Sequence, residues 1–285
     1  MKTLGIIVDS FSGLSVAQAD ELGYKFLPLQ VEIDGESFED GYVSNLEILK
    51  KISVTSKIKT SLPKIDKMTR IIQDAAKNYD DVIYLGISQH LSNTFMQARS
   101  ISMELSNVHI MENHLFGNQI VRTVAHLKKM YENGASINQL FETLNNINET
   151  SRTFIVPYRL EYLINGGRLS GIKKFLLSKL KVYPVLSYNE EGKVKSVATK
   201  WNFKNATAKA FDLVNEFIDS LKNIDKNAKY YVDLISGVND EVNQAITSDQ
   251  FIKASTQITT PLPIAAHTGP EAFAVSVMVE LEKNE

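Results

Sequence analysis

The side chains able to do chemistry gather in a few polar stretches between apolar runs. From Tyr84 to Gln97 the chain reads Y-L-G-I-S-Q-H-L-S-N-T-F-M-Q. The apolar run Val82 to Ile87 breaks into a loop bearing Ser88, His90, Ser92 and Thr94, and helical spacing follows. Hydroxyls at a strand-to-helix turn can hold a small anion, because ligands of open α/β sheets lie beyond the carboxyl ends of the strands and a helix start presents N–H donors. Ser92 serves equally well as a plain helix cap. Thr60-Ser61-Leu62-Pro63 repeats the pattern, hydroxyls and then a helix start. His267, in A-A-H-T-G-P, follows the apolar run Pro261 to Ala266. It reads either as a histidine bonding its own loop or as a donor to an oxyanion, a task open to an imidazole N–H in either charge state. Asp9-Ser10 places a carboxylate and a hydroxyl at the end of the first strand. In Tyr158 to Gly171, Gly166 and Gly167 permit close backbone approach, while Arg168 offers a bidentate fork or ties loop carbonyls.

Several chemistries are disfavoured by what surrounds these residues. Asp9 has no second aspartate two positions on, so it reads as a hydrogen-bonding group rather than a phosphatase nucleophile. Ser92, His267 and Asp9 could form a triad, but L-S-N-T is not the G-x-S-x-G elbow that exposes a hydrolase serine. Neither G-x-G-x-x-G nor the lysine-bearing phosphate loop occurs. The five histidines lack ligand spacing and there is no cysteine, which argues against a metal site and excludes disulfides and thiol nucleophiles. A net charge of -2 with dispersed basic residues gives no footprint for nucleic acid. The first residues, M-K-T-L-G-I-I-V-D, read as a strand rather than a signal peptide, and no apolar run approaches the ~20 residues of a membrane span, so the expectation is a soluble cytoplasmic protein.

The elements that must position these residues follow from spacing. Thr3 to Val8 is a buried strand. Ser15 with Gln18, Ser44 with Glu47, and Ser136 with Gln139 have capping-box spacing. Ile65, Met68, Ile71, Ile72, Ala75 and Tyr79 form one helical face. Strands alternating with helices over the first ~150 residues imply a Rossmann-like, mostly parallel sheet with helices on both faces. At N-N-I-N-E-T-S-R the texture changes, giving domains at 1-150 and 151-285. In the second, Val182 to Tyr188 and Val194 to Thr199 read as a β-hairpin, so antiparallel pairing belongs to this half and a mixed or antiparallel sheet is expected. Phe273, Val275, Val277, Val279 and Leu281 alternate as a final strand.

In order and spacing, I-V-D-S at 7-10, T-S-L-P at 60-63, I-S-Q-H-L-S-N-T-F at 87-95, L-E-Y-L-I-N-G-G-R-L-S at 160-170, the hairpin with Pro184 and Gly192, and H-T-G-P at 267-270 resemble the DegV family across essentially the whole chain. The resemblance implies a non-enzymatic, two-domain α/β protein of the FakB type that binds one long-chain fatty acid as ligand, with no cofactor or metal. It implies a carboxylate held between the domains by Thr60, Ser61, Ser92, Thr94 and His267, with Asp9, Ser10, Asn93, Gly166, Gly167, Arg168 and Gly269 supporting, and an acyl tail buried in the C-terminal domain. The implied partner is a separate ATP-dependent fatty acid kinase that makes acyl-phosphate for phospholipid synthesis. The alternative is an enzyme on the same scaffold, a phosphotransferase or acyl hydrolase using His267 and Ser92.

Four places depart from the family pattern. Asn93 replaces the glycine of L-S-G-T, and Glu271 the last glycine of H-x-G-P-G. Trp201-Asn202-Phe203 replaces a basic stretch, and E-N-H at 112-114 replaces a D-S pair. Asn tolerates left-handed geometry, and the loop at Asn93 is the first place to look; Glu271 puts a carboxylate close to the anion site, which opposes it unless it points away.

Overall fold

A computed structural model of the chain describes residues 2–166, 182–188, 191–246 and 254–281. Its first sheet joins β1 (Leu4–Asp9), β2 (Lys25–Leu27), β6 (Asp81–Leu85) and β7 (Val108–Ile110) in the order β2-β1-β6-β7, every pair parallel. Alternation along the strands gives each face its own helices. Ile6, Val8, Ile83 and Leu85 meet Ala19 of α1 (Val16–Glu21) and Ile120, Val124 and Leu127 of α5 (Asn118–Glu132). Ile7, Val82 and Tyr84 meet Met68, Ile72 and Ala75 of α3 (Ile65–Asn78) and Ala98 of α4 (Thr94–Ile101). α6 (Ile137–Glu149) packs beside α5, and both its capping box at Ser136 and that of α1 at Ser15 are formed.

The first half also contains antiparallel pairing, contrary to the sequence expectation. β3 (Gln30–Ile33), β4 (Glu36–Glu39) and β5 (Ile58–Ser61) form a separate three-stranded sheet, and β3 pairs antiparallel with both neighbours. The Asp34-Gly35 turn makes the β3-β4 hairpin, with Asp34 at φ 51 and Gly35 at φ 92. In sequence Phe26 to Ile33 reads as extended and Asp34-Gly35 as a tight turn, but β4 and β5 are too short and too uneven in polarity to stand out, and tertiary contact completes the sheet. Ser44, before α2 (Asn45–Leu49), lacks the capping bond that its spacing suggests.

The second half is built on a six-stranded mixed sheet, β10-β9-β8-β13-β11-β12. Its strands are β8 (Ser151–Val156), β9 (Tyr183–Tyr188), β10 (Val194–Lys200), β11 (Tyr230–Ser236), β12 (Thr256–Thr259) and β13 (Phe273–Val279), antiparallel throughout except β11 with β12. α8 (Phe203–Lys222) covers one face, where Ala210, Phe211 and Val214 meet Val185, Val232 and Val275. The opposite face turns toward the first half, and Tyr188, Ile235, Ala274 and Met278 share one core with Val8, Phe11 and Phe116. Two further helices matter below, α7 (Leu160–Gly166) and α10 (Leu262–Thr268), while α9 (Asp240–Ile246) lies outside the site. Gly167 and Arg168 lie outside the described residues.

Polar contacts reinforce that shared core. Arg122 of α5 forms a two-pronged ion pair with Asp233 of β11, which is 1% exposed, and Arg122 stacks over the Tyr231 ring at 4.1 Å. Thr256 donates to Asp233 at 2.8 Å, and Gln119 reaches the Val277 carbonyl at 2.9 Å.

Candidate functional site

Between the sheets lies a cavity of about 660 Å³. Its apolar wall comes from both halves, including Phe11, Leu29 and Phe116 from the first and Ile155, Leu186 and Ile235 from the second. The cavity wall is thus shared by both halves. The reason is geometric, since the inward residues of β8, β9 and β11 have the first half as their ceiling.

Polar groups converge at one part of this wall. Thr60, the penultimate residue of β5, bonds His267 Nε2 through its hydroxyl at 3.0 Å across 207 residues. Ser61, Ser92, Asn93 and His267 line the same cavity. His267 is not in a loop but in the last turn of α10. The run P-L-P-I-A-A-H hides this helix from periodicity, because a seven-residue element with two prolines at its start shows too few turns.

Ser92 precedes α4 without being its cap residue, which is Asn93. The Ser92 hydroxyl bonds Thr94 Oγ1 at 2.8 Å and accepts from the Thr94 N–H at 3.2 Å. Thr94 is fully buried and does not line the cavity; it braces Ser92. Asn93 has φ -70, an ordinary right-handed conformation, so replacing glycine there strains nothing. From below, Asn113 donates to the Gly86 carbonyl at 2.9 Å, fixing the start of the hydroxyl loop. From the side, Gly192, at φ 67 in the β9-β10 hairpin, presses so close that a Cβ would lie 2.8 Å from Ser88 Oγ.

Asp9 and Ser10 stand behind the cavity. Asp9 is wholly buried and accepts from the Ile87 N–H at 2.8 Å, the Tyr84 hydroxyl at 2.7 Å and the Phe11 N–H at 3.0 Å. Burial pushes its carboxyl up to about 6 against the pull of these bonds. Its bonds tie β1 to the base of the hydroxyl loop and leave no triad with His267 and Ser92. Ser10 accepts from the Leu29 N–H at 3.2 Å.

Two glycines place the histidine. A Cβ on Gly166 would lie 2.5 Å from His267 Nδ1, so the end of α7 must be bare for the imidazole to sit where it does. Gly269 adopts φ 92, and a Cβ there would meet Tyr162 at 2.6 Å. Glu271 turns to Arg159, whose Nε lies 2.9 Å from its Oε1, so its charge is offset by a guanidinium. Sequence reasoning missed Phe11, Phe116 and Tyr188 as lining; alternation along β8 and β9 marks one face as buried but does not say that the face borders a hollow.

An α/β chain whose parallel and mixed sheets border a cavity with a hydroxyl and imidazole rim has the geometry of a small-molecule site. The family model described as "Uncharacterised protein, DegV family" matches residues 3–280, and the chain belongs to the DegV family. It is 27% identical over 285 residues to a DegV domain-containing protein of Mycoplasmopsis pulmonis, covering 99% of this chain and 96% of that one. The fold matches a stearic-acid-binding protein of Eubacterium ventriosum with TM-score 0.82 at 20% identity, over 97% of this chain and 98% of that chain. It matches a fatty-acid-binding DegV family protein of Thermus thermophilus with TM-score 0.80 at 23% identity, over 98% and 100%.

Proposed function

We propose that this protein binds one long-chain fatty acid and presents its carboxylate to a separate ATP-dependent fatty acid kinase. The observation that carries the reading is the cavity itself, an apolar hollow whose polar rim brings together Thr60, Ser61, Ser92 and His267 from distant parts of the chain. Structurally similar proteins are described as binding stearic acid and fatty acids. In this reading the carboxylate replaces or joins the Thr60–His267 contact, Ser92 donates to it with Thr94 holding Ser92 in place, and the tail runs between the two halves.

The division of labour follows from magnitudes. About fourteen buried methylenes at ~0.8 kcal/mol each contribute on the order of 10 kcal/mol before ordering costs, so the tail supplies affinity. Neutral donors supply orientation and leave a carboxylate oxygen free to attack a γ-phosphorus, releasing ADP and giving acyl-phosphate. A tight arginine clamp would compete for those oxygens. In this reading the protein is a carrier without catalysis of its own, working in the cytoplasm; among the described residues no helix is long and apolar enough to cross a membrane.

Solvent extraction of the purified protein followed by mass spectrometry is expected to recover about one fatty acid per chain. No recovered lipid together with no uptake of oleate or palmitate would sink the carrier. Turnover of ATP or an acyl ester by the protein alone, abolished by His267→Ala, would replace it with an enzyme.

A further inference from the structure

The floor of the cavity contains one row of paired residues. Leu186 of β9 stands opposite Ile155 of β8, Ile155 opposite Ala274 of β13, and Ala274 opposite Ile235 of β11. Residues paired across a sheet point to the same face, so the four make a continuous apolar strip, and all four border the cavity. At about 4.8 Å per strand the strip is roughly 14 Å long. Its Leu186 end belongs to the strand that runs into the hairpin whose Gly192 presses on Ser88, at the base of the hydroxyl loop. Its Ile235 end lies on the other side of the sheet from that hairpin.

The row continues for one more strand, but the cavity does not. Ile235 is paired with Ile258 of β12, and Ile258 packs against the core shared by the two halves without bordering the cavity. Its tip is fixed from the first half. A Cβ on Gly13 would lie 2.9 Å from Ile258 Cδ1, and a Cβ on Gly117 would lie 2.8 Å from the same atom, so the two glycines form a notch that the isoleucine fills. The notch is tied to the roof of the cavity. The Gly117 N–H donates to the Phe11 carbonyl at 3.1 Å, and the Phe11 and Phe116 rings, both in the cavity wall, have centroids 4.8 Å apart. Floor, roof and plug meet at Ile258.

We propose that Ile258 is the end stop of the cavity and sets the length of acyl chain that it accepts. A chain too short leaves part of the strip uncovered, at about fourfold in affinity per missing methylene. A chain too long has to press Ile258 into a notch that is already full, or draw its carboxylate away from Ser92 and His267. The length preference rests on the fatty-acid reading; the stop is a property of the hollow.

Affinities of saturated fatty acids from about ten to twenty carbons, measured on the lipid-stripped chain, are expected to rise about fourfold per methylene to an optimum and then fall. Ile258→Ala empties the side chain beyond Cβ. The optimum is expected to move up by about two carbons, the longer acid gaining about tenfold over the wild-type favourite. Ile258→Phe cannot grow into the filled notch and is expected to move the optimum down. The readout is the ratio of affinities between chain lengths within one variant, which a uniform loss of stability leaves unchanged. Should Ile258→Ala fail to fold, Ile258→Val withdraws only the Cδ1 tip and is expected to favour the next longer chain by about two- to fourfold. Length profiles that run parallel in wild type and variants overturn the stop. A wild type that binds no acid of any length overturns the carrier reading instead. Xenon then decides the stop: Ile258→Ala is expected to gain a xenon position beside Ile235 that is continuous with the cavity, and no added position overturns it.

Discussion

Ser92 carries the sharpest test at the level of single residues. Its hydroxyl is braced by Thr94 and lines the cavity, so a charge-assisted bond to a carboxylate disappears in Ser92→Ala. The expected loss is about 1 to 3 kcal/mol of fatty-acid affinity, read by fluorescent-analogue displacement, and thermal stability falls as well, by about 1 kcal/mol, because the buried Thr94 N–H and hydroxyl lose their partner. Equal affinity of the variant and the wild type would remove Ser92 from the head-group site. Two of the four departures from the resembled pattern prove mild at the same scale. Asn93 sits at an ordinary φ, and Glu271 spends its charge on Arg159 rather than on the anion site.

At the level of elements, the site is a meeting of ends: the end of β5, the loop before α4, and the last turns of α7 and α10. Gly166 is where two of them touch. An alanine there favours the helix by propensity, about 1 kcal/mol in a helix interior and less at its end, but its methyl cannot coexist with the imidazole at 2.5 Å. Gly166→Ala is therefore expected to displace His267, break the Thr60 contact and weaken fatty-acid binding by about 1 kcal/mol or more, with unfolding stability lowered by about 1 to 3 kcal/mol because overpacking outweighs the propensity gain. Calorimetric titration beside thermal melting separates the two effects. Unchanged binding would show that His267 can move without consequence. The hairpin of β9 and β10 plays a related part, with Gly192 pressed on Ser88 at the base of the hydroxyl loop.

For the molecule as a whole, the two halves are not loosely hinged bodies. They share one core, and the Arg122–Asp233 pair crosses between them with Asp233 almost wholly buried. Removing one partner of such a pair strands the other charge, so Arg122→Gln is expected to cost about 3 kcal/mol in urea unfolding. The transition should stay single, because the shared core makes the halves unfold together. A loss below about 1 kcal/mol would show that Thr256 alone suffices to satisfy Asp233.

How much of this was written in the sequence depends on the range of the forces involved. Local rules determined the parallel sheet, the helices capped at Ser15 and Ser136, the hairpin at Gly192 and the last strand, since alternation, helical spacing and side-chain caps act within a few residues. The hydroxyl loops were legible for the same reason, each being a contiguous stretch. Of the three-stranded sheet, the extended run into β3 and the Asp34-Gly35 turn were legible, whereas β4, β5 and their pairing were not, because these strands are short and the sheet packs against α10, more than 200 residues away. Nor was the helix under His267, whose two prolines and single apolar turn mimic a loop until β3 and α2 pack against it. The same holds for the hollow. Buried alternation in β8 and β9 shows which residues face inward, but only the gap left between two packed halves decides that Leu186 and Phe116 border empty space rather than each other.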